Sequence, residues 1–163
     1  MFSQLKKIFS NEGKEDTHSM IPSVKDVICV LSKIRAPRHA YYKEEEPEKA
    51  VESVIAKQLI EIYGKQNVKR QYAVGGFLSL KCDIDLFDSK CCGIELKLAK
   101  SLNATTMQRV IGQVMYYSRR RYKDNGLILL VIGTSSELDP TLNELKNFIE
   151  EFPNVYFVYK QAS

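Results

Sequence analysis

Apolar residues follow two rhythms along this chain, and together they lay out its elements. Val24, Val27, Ile28, Leu31 and Ile34 keep helical spacing behind Pro22-Ser23, a helix-opening pair, and Ala36-Pro37 breaks the run. Val51, Val54, Ile55, Leu59 and Ile62 form a second stripe. It starts at Pro47 behind Glu44-Glu45-Glu46, where acidic groups meet the positive end of a helix dipole, and stops near Gly64. Val68 to Val74 reads as a basic strand ended by Gly75-Gly76. Two strands of alternating charge follow, Asp83-Ile84-Asp85-Leu86 and Glu95-Leu96-Lys97, joined by the turn-like Asp88-Ser89-Lys90. A helix is predicted from about Thr106 to Tyr122, a strand over Leu127 to Ile132, a helix from Pro140 to Glu151, and a strand over Val155 to Tyr159. The Leu127 to Ile132 run is apolar on both faces, as in a strand at the middle of a sheet covered on both sides. The pattern predicts one α/β domain over residues 1–163, a mixed central sheet flanked by helices, with residues 1–45 as an N-terminal helical extension and linker. Residues 133–163 complete the sheet with a helix and a strand.

The two charged strands carry the chemistry. Ile84, Leu86, Ile94, Leu96 and Leu98 share one parity with Leu80, while Asp83, Asp85, Glu95 and Lys97 share the other. Adjacent strands of this kind bring carboxylates and one ammonium to a single spot. Carboxylates so crowded repel one another unless a cation sits among them, and Mg²⁺ prefers oxygen ligands. A lysine two residues past a ligand carboxylate lands beside such an ion, where it holds a water or offsets developing negative charge. The competing reading is a sheet face whose charges are merely solvated.

Composition narrows the field. At 44% hydrophobic and 27% charged residues the chain has enough apolar surface for one real core, and no run approaches the length of a membrane span. The net charge of +4 is compatible with nucleic acid. Cys29, Cys82, Cys91 and Cys92 contain no C-x-x-C pair and lie far in sequence from His18 and His39, which argues against structural zinc and for free thiols in the cytoplasm. Cys91 and Cys92 are expected on opposite faces of a strand. Phe2, Leu5, Ile8 and Phe9 have helical spacing but not the apolar core of a secretory signal; they read as a docking or fraying helix, followed by a polar linker over residues 10–20.

The order of elements, with Cys82-Asp83 and Glu95-Leu96-Lys97 on consecutive strands, resembles the PD-(D/E)xK nuclease superfamily and its restriction-endonuclease-like fold. Residues 47–132 cover the helix, three-strand meander, helix and strand of that core, and Cys82 stands where the motif has proline. Gln113 and Tyr117 match the Q-x-x-x-Y helix of RecB-like members; they share a helix face, and Gly112 would let strand and helix approach closely. The resemblance implies metal ligation by Asp83, Glu95 and a carbonyl near Leu96, with Asp85 as an accessory or replacement ligand. Glu52 on the first core helix, with Glu48 as substitute, implies a further contact. Lys97, Gln113 and Tyr117 are the implied catalytic support, and Mg²⁺, replaceable by Mn²⁺, the implied cofactor.

A metal-dependent deoxyribonuclease, structure-selective or non-specific, is therefore the expected function, with a non-catalytic nucleic-acid-binding module of the same fold as the alternative. Lys69, Arg70, Lys100, Arg109, Arg119, Arg120 and Arg121 are the expected phosphate contacts, and the loop at Gly75-Gly76 could enter a groove. Paired cuts would call for a homodimer, and the N-terminal helices are the expected place for dimerisation or a protein partner. Removing Lys97 is expected to abolish cleavage and leave metal and DNA binding largely intact.

Overall fold

A computed structural model describes residues 20–76 and 78–163; the helix expected at Met1 to Phe9 and all of the linker but Met20 lie outside them. Ser23 starts helix α1 (Val24–Lys33) through a capping box, its hydroxyl accepting from the Asp26 N–H while Asp26 accepts from the Ser23 N–H. A one-turn helix α2 (Arg38–Tyr41), absent from the expected order, follows Pro37. Helix α3 (Pro47–Tyr63) begins on its proline and ends at Gly64, whose φ of 89° a side chain would disfavour. Strands β1 (Val68–Ala73), β2 (Lys81–Leu86) and β3 (Cys92–Leu98) come next. Helix α4 (Ala104–Arg120) is capped by Asn103 and starts two residues earlier than its apolar pattern indicated. Strand β4 (Leu127–Gly133), helix α5 (Pro140–Glu150) and strand β5 (Val155–Gln161) complete the order.

The five strands lie side by side in chain order. β1, β2 and β3 form an antiparallel meander, whereas β4 is parallel to β3 and β5 parallel to β4. Every residue of β4 is buried, as its unbroken apolar run predicts for a strand with helices on both faces. One face packs Ile94, Leu96, Ile128 and Leu130 against α1 and α3; the other packs Leu129 and Val131 against Val114 and Tyr117 of α4 and Leu142 and Leu145 of α5. Helix α1, one of the N-terminal helices expected to serve dimerisation or a partner, is part of this core: Val27 and Leu31 are fully buried. The last residue joins it there, Ser163 exchanging backbone hydrogen bonds with Ala36 and Arg38.

Two local expectations change. Cys91 lies just before β3 and does not alternate with Cys92; both thiols turn into the α1–α3 side of the core with their Sγ atoms 3.8 Å apart, unbonded. Leu80 and Cys82 pack on the α4 side, opposite Ile84 and Leu86, so the expected alternation breaks between Cys82 and Ile84, across from the left-handed Gln71.

Asp85 holds the β2–β3 turn. Phe87, Asp88 and Ser89 all have left-handed backbones (φ 58°, 55° and 66°), a costly run for residues with side chains. Fully buried Asp85 accepts from the Ser89 N–H (3.0 Å), the Ser89 hydroxyl (2.9 Å) and the Tyr122 hydroxyl (2.8 Å). Tyr122 reaches it over Gly93, where a Cβ would lie 2.4 Å from the ring. Replacing Asp85 by Ala leaves those donors unpaired, and urea denaturation should show a loss of about 3 kcal/mol. Unchanged stability would mean that the turn holds itself.

Candidate active site

The site forms where β2 leaves β3. Their ladder runs from Leu86–Cys92 to Ile84–Ile94 and stops there. The next donor on β3, the Leu96 N–H, would be stranded, and the side chain of Asp83 takes it instead: Oδ2 accepts at 2.8 Å. Across β1, Gln71 adopts a left-handed backbone (φ 49°) opposite Asp83, flanked by the pairs Arg70–Ile84 and Tyr72–Cys82. Its amide donates to Asp83 Oδ1 (3.1 Å) and to Glu52 Oε2 (3.2 Å), which fixes both carboxylates.

Into this fork comes the ammonium of Lys97. It donates to Glu48 Oε1 (3.0 Å) and to the carbonyl of Leu96 (2.9 Å), lies 2.9 Å from Glu95 Oε1, and stands 3.7 Å from Asp83 Oδ2. Glu95 and Lys97 lie beside Leu129 and Val131, on the α4 face, whereas Glu48 belongs to α3 on the other face. The ammonium meets Glu48 through the opening between β2 and β3. Glu48 and Glu52, one helical turn apart, share the face of α3 that overlooks it.

Three carboxylates around one ammonium leave an excess of negative charge in a buried place. Glu95 shows the strain most: burial, then the charge of Asp83, push its carboxyl up to about 8, against the pull of Lys97. Its Oε2 is buried without a hydrogen-bond partner. For Lys97, burial opposes the charged form, but Glu95, Asp83 and Glu48 outweigh it and hold the ammonium well above the ordinary lysine range. Glu52 is raised by burial, partly offset by the Arg70 guanidinium whose Nε donates to its Oε1 at 2.8 Å.

The structure brings Asp83, Glu95, Lys97 and the Leu96 carbonyl together, and it sets Glu48 rather than Glu52 against Lys97. Glu52 stands behind, tied through Gln71. Asp85 lies apart, committed to the turn. Tyr117 is buried and donates to the Lys81 carbonyl (2.9 Å), close enough for Glu95 and Asp83 to help burial raise its hydroxyl. The side chain of Gln113, half-buried one turn earlier, makes no hydrogen bond among the described residues. Gly112 is exposed, with nothing near its missing Cβ, so it brings no strand closer. Gln71 escaped notice because its role needs the β1–β2 register; only its place in a strand next to the motif pointed to it.

The expected phosphate contacts divide. Lys69 pairs with Asp88 (3.0 Å) and Arg70 with Glu52. Arg121 donates to Ser89 Oγ (2.8 Å) and the Tyr72 hydroxyl (2.6 Å), while Lys100 bonds the Tyr41 carbonyl. Arg109, Arg119 and Arg120 are exposed along α4. The Gly75-Gly76 loop folds onto that helix: the Tyr116 hydroxyl donates to the Gly75 carbonyl (3.0 Å), and Arg120 lies against Gly76.

The donor set suits a divalent cation: hard oxygen ligands, surplus negative charge, and one carboxylate oxygen with no partner. Among the described residues no three Asp, Glu, His or Cys side chains are gathered closely enough to hold a metal ion as they stand; the ammonium occupies their common point. No protein-family model matches the chain, and no curated protein or solved structure does either.

Two measurements follow from this geometry. With Lys97 seated among the carboxylates, its removal should not leave metal binding as it was. Lys97→Met should tighten Mn²⁺ binding about tenfold by calorimetry, a fraction of the Coulomb energy of one charge at this range. Equal or weaker binding would show that the ammonium does not compete. The second concerns Glu95 without metal. Because its folded pKa lies above the unfolded value, its contribution to stability is fully present below about pH 4.5 and is lost as pH rises through about 8. In EDTA the melting temperature of the wild type should fall over that window, and the fall should be smaller in Glu95→Gln. Parallel profiles would show that Glu95 is not strained.

Proposed function

We propose that this chain is a metal-dependent nuclease of the PD-(D/E)xK kind, hydrolysing phosphodiester bonds of DNA. The observation that carries the reading is the convergence of Asp83, Glu95 and Glu48 on Lys97 at the β2–β3 fork, with Glu95 Oε2 left unpartnered. The order of α3, the meander, α4 and β4 agrees with the restriction-endonuclease-like core expected over residues 47–132.

Asp83, Glu95 and the Leu96 carbonyl would hold Mg²⁺ or Mn²⁺, with Glu48 beside them and Glu52 behind. Such an ion, when bound, polarises the scissile phosphate and lowers the pKa of a water. The chain's own residues do the rest. The Leu96 N–H and the Gln71 amide hold Asp83 in place before any substrate arrives, so little reorganisation remains for the reaction itself. Lys97, kept charged by its neighbours, acts as a cation and hydrogen-bond donor rather than as a base. Turned from the carboxylates, its N–H groups orient the attacking water and offset charge growing on the phosphate oxygens. Tyr117 supports the start of β2 from behind, and Gln113 is placed to add an amide on the same helix face.

Of the expected contacts, Arg109, Arg119 and Arg120 on α4 are the arginines with no carboxylate partner among the described residues, and they are the ones we assign to a phosphate backbone. No sequence-reading element stands among the described residues, in keeping with structure-selective or non-specific cutting. Paired cuts would need two copies. Among the described residues no helix is long and apolar enough to cross a membrane, and the four cysteines are free; we place the protein in the cytoplasm, where thiols stay reduced.

The test is cleavage of plasmid, linear, branched and single-stranded DNA, with RNA alongside, in Mg²⁺ or Mn²⁺ and with EDTA as blank. Metal-dependent cutting lost in Lys97→Met and in Asp83→Asn is expected. No cutting of any substrate, with nucleic-acid binding intact, would convert the reading to the non-catalytic module.

A further inference from the structure

Beyond the end of β3 the chain makes a 3-10 turn, Ala99–Ser101, and Lys100 in that turn leads into a crevice of about 480 Å³. The crevice lies outside the carboxyl ends of the parallel strands β3 and β4, between Tyr41 of α2 on one face of the sheet and Leu142 of α5 on the other. The volume falls within the roughly 300–1,000 Å³ of small-molecule sites.

Its walls are built. Gly133 ends β4, and a Cβ there would lie 2.1 Å from the Tyr159 hydroxyl; without one, the Tyr159 ring lies across the strand end and its hydroxyl donates to the Ser135 carbonyl (2.9 Å). The Lys100 ammonium sits 4.7 Å from the centre of the Tyr41 ring and has no carboxylate partner among the described residues. The half-buried Tyr159 ring, an ammonium that bonds the Tyr41 carbonyl but faces no carboxylate, and the hydroxyls of Thr134 and Ser135 are groups of the kinds that recognise a base, a phosphate and a sugar. Glu137 and Asp139, also on the walls, oppose a run of phosphates, which makes this a seat for one nucleotide rather than a track for a duplex backbone. Lys100 follows Lys97 by three residues, so their Cα atoms are at most roughly 10 Å apart.

We infer that the crevice receives an unpaired nucleotide next to the scissile phosphate, with its phosphate on Lys100. The inference rests on the nuclease reading and deepens it: the substrate class is a strand with unpaired nucleotides beside the cut. A base paired within a continuous duplex is not free to enter.

The test uses full-length Lys97→Met protein, which should not cut, and fluorescence anisotropy with a labelled single-stranded oligonucleotide and its matched duplex. The single strand should bind about tenfold more tightly, the worth of one stacked base. Ser135→Trp, which fills the crevice from an exposed loop, and Lys100→Gln should each remove most of that preference while Mn²⁺ affinity stays unchanged. Equal affinity for strand and duplex, or a preference untouched by Ser135→Trp, overturns the inference. Free deoxynucleoside monophosphate, titrated by NMR, separates a nucleotide seat from a strand seat; binding of the monophosphate with no preference for the strand also overturns it. If metal-dependent cutting by the wild type survives these results, only the crevice assignment falls. If neither Mn²⁺ nor any nucleic acid binds, the nuclease reading falls with it.

Discussion

The separation of β2 from β3 at Asp83 is the constraint on which the rest of the candidate site depends. A sheet interior cannot leave an N–H without an acceptor, so when the ladder stops, something must take the Leu96 donor. Asp83 does so with its side chain, which turns that carboxylate into the gap between the strands. The same gap lets an ammonium that starts on the α4 face meet a glutamate from α3 on the other. Gln71, held in a left-handed conformation on the neighbouring strand, ties the arrangement to Glu52 and so to the helix behind it. Strain and broken pairing here accompany a crowding of ionised groups.

The charges in that place are unequal by construction. Burial raises Glu95 and would depress Lys97, yet the lysine stays charged because the carboxylates around it outweigh the loss of water. A single ammonium cannot satisfy three carboxylates, and the unpartnered oxygen of Glu95 marks where the balance fails. Such imbalance costs stability, and a folded chain keeps it where a further cation or a reacting group can offset it.

Other charged residues near the site serve the fold. Asp85, two residues from Asp83, is consumed by a turn whose backbone needs its three hydrogen bonds. Around the same hairpin, Tyr72 donates to Asp88 (2.6 Å) and accepts from Arg121, with Lys69 closing the cluster on Asp88. These groups look in the sequence like ligands and phosphate contacts. In the fold Asp85, Lys69 and Arg121 each bond a residue of the β2–β3 turn.

Period and punctuation in the sequence determined the order of helices and strands, the buried middle strand and the pairing of Asp83 with Glu95 and Lys97, because each depends on short-range pattern: alternation along a strand, a stripe along a helix, a proline or glycine at an end. The short helix α2 escaped, four residues being too few to show a period. What only the tertiary structure decided are the relations between elements. Parity placed Asp83 and Asp85 on one face, but only the end of the β2–β3 ladder separates a site residue from a turn residue. The sequence put Glu52 first with Glu48 as its substitute, and the seating of α3 against β1 and β3 instead gave Glu48 to Lys97 and Glu52 to Arg70 and Gln71. Strand register and helix docking are set by long-range packing and by which polar groups must find partners, and neither is written in any local stretch of the chain.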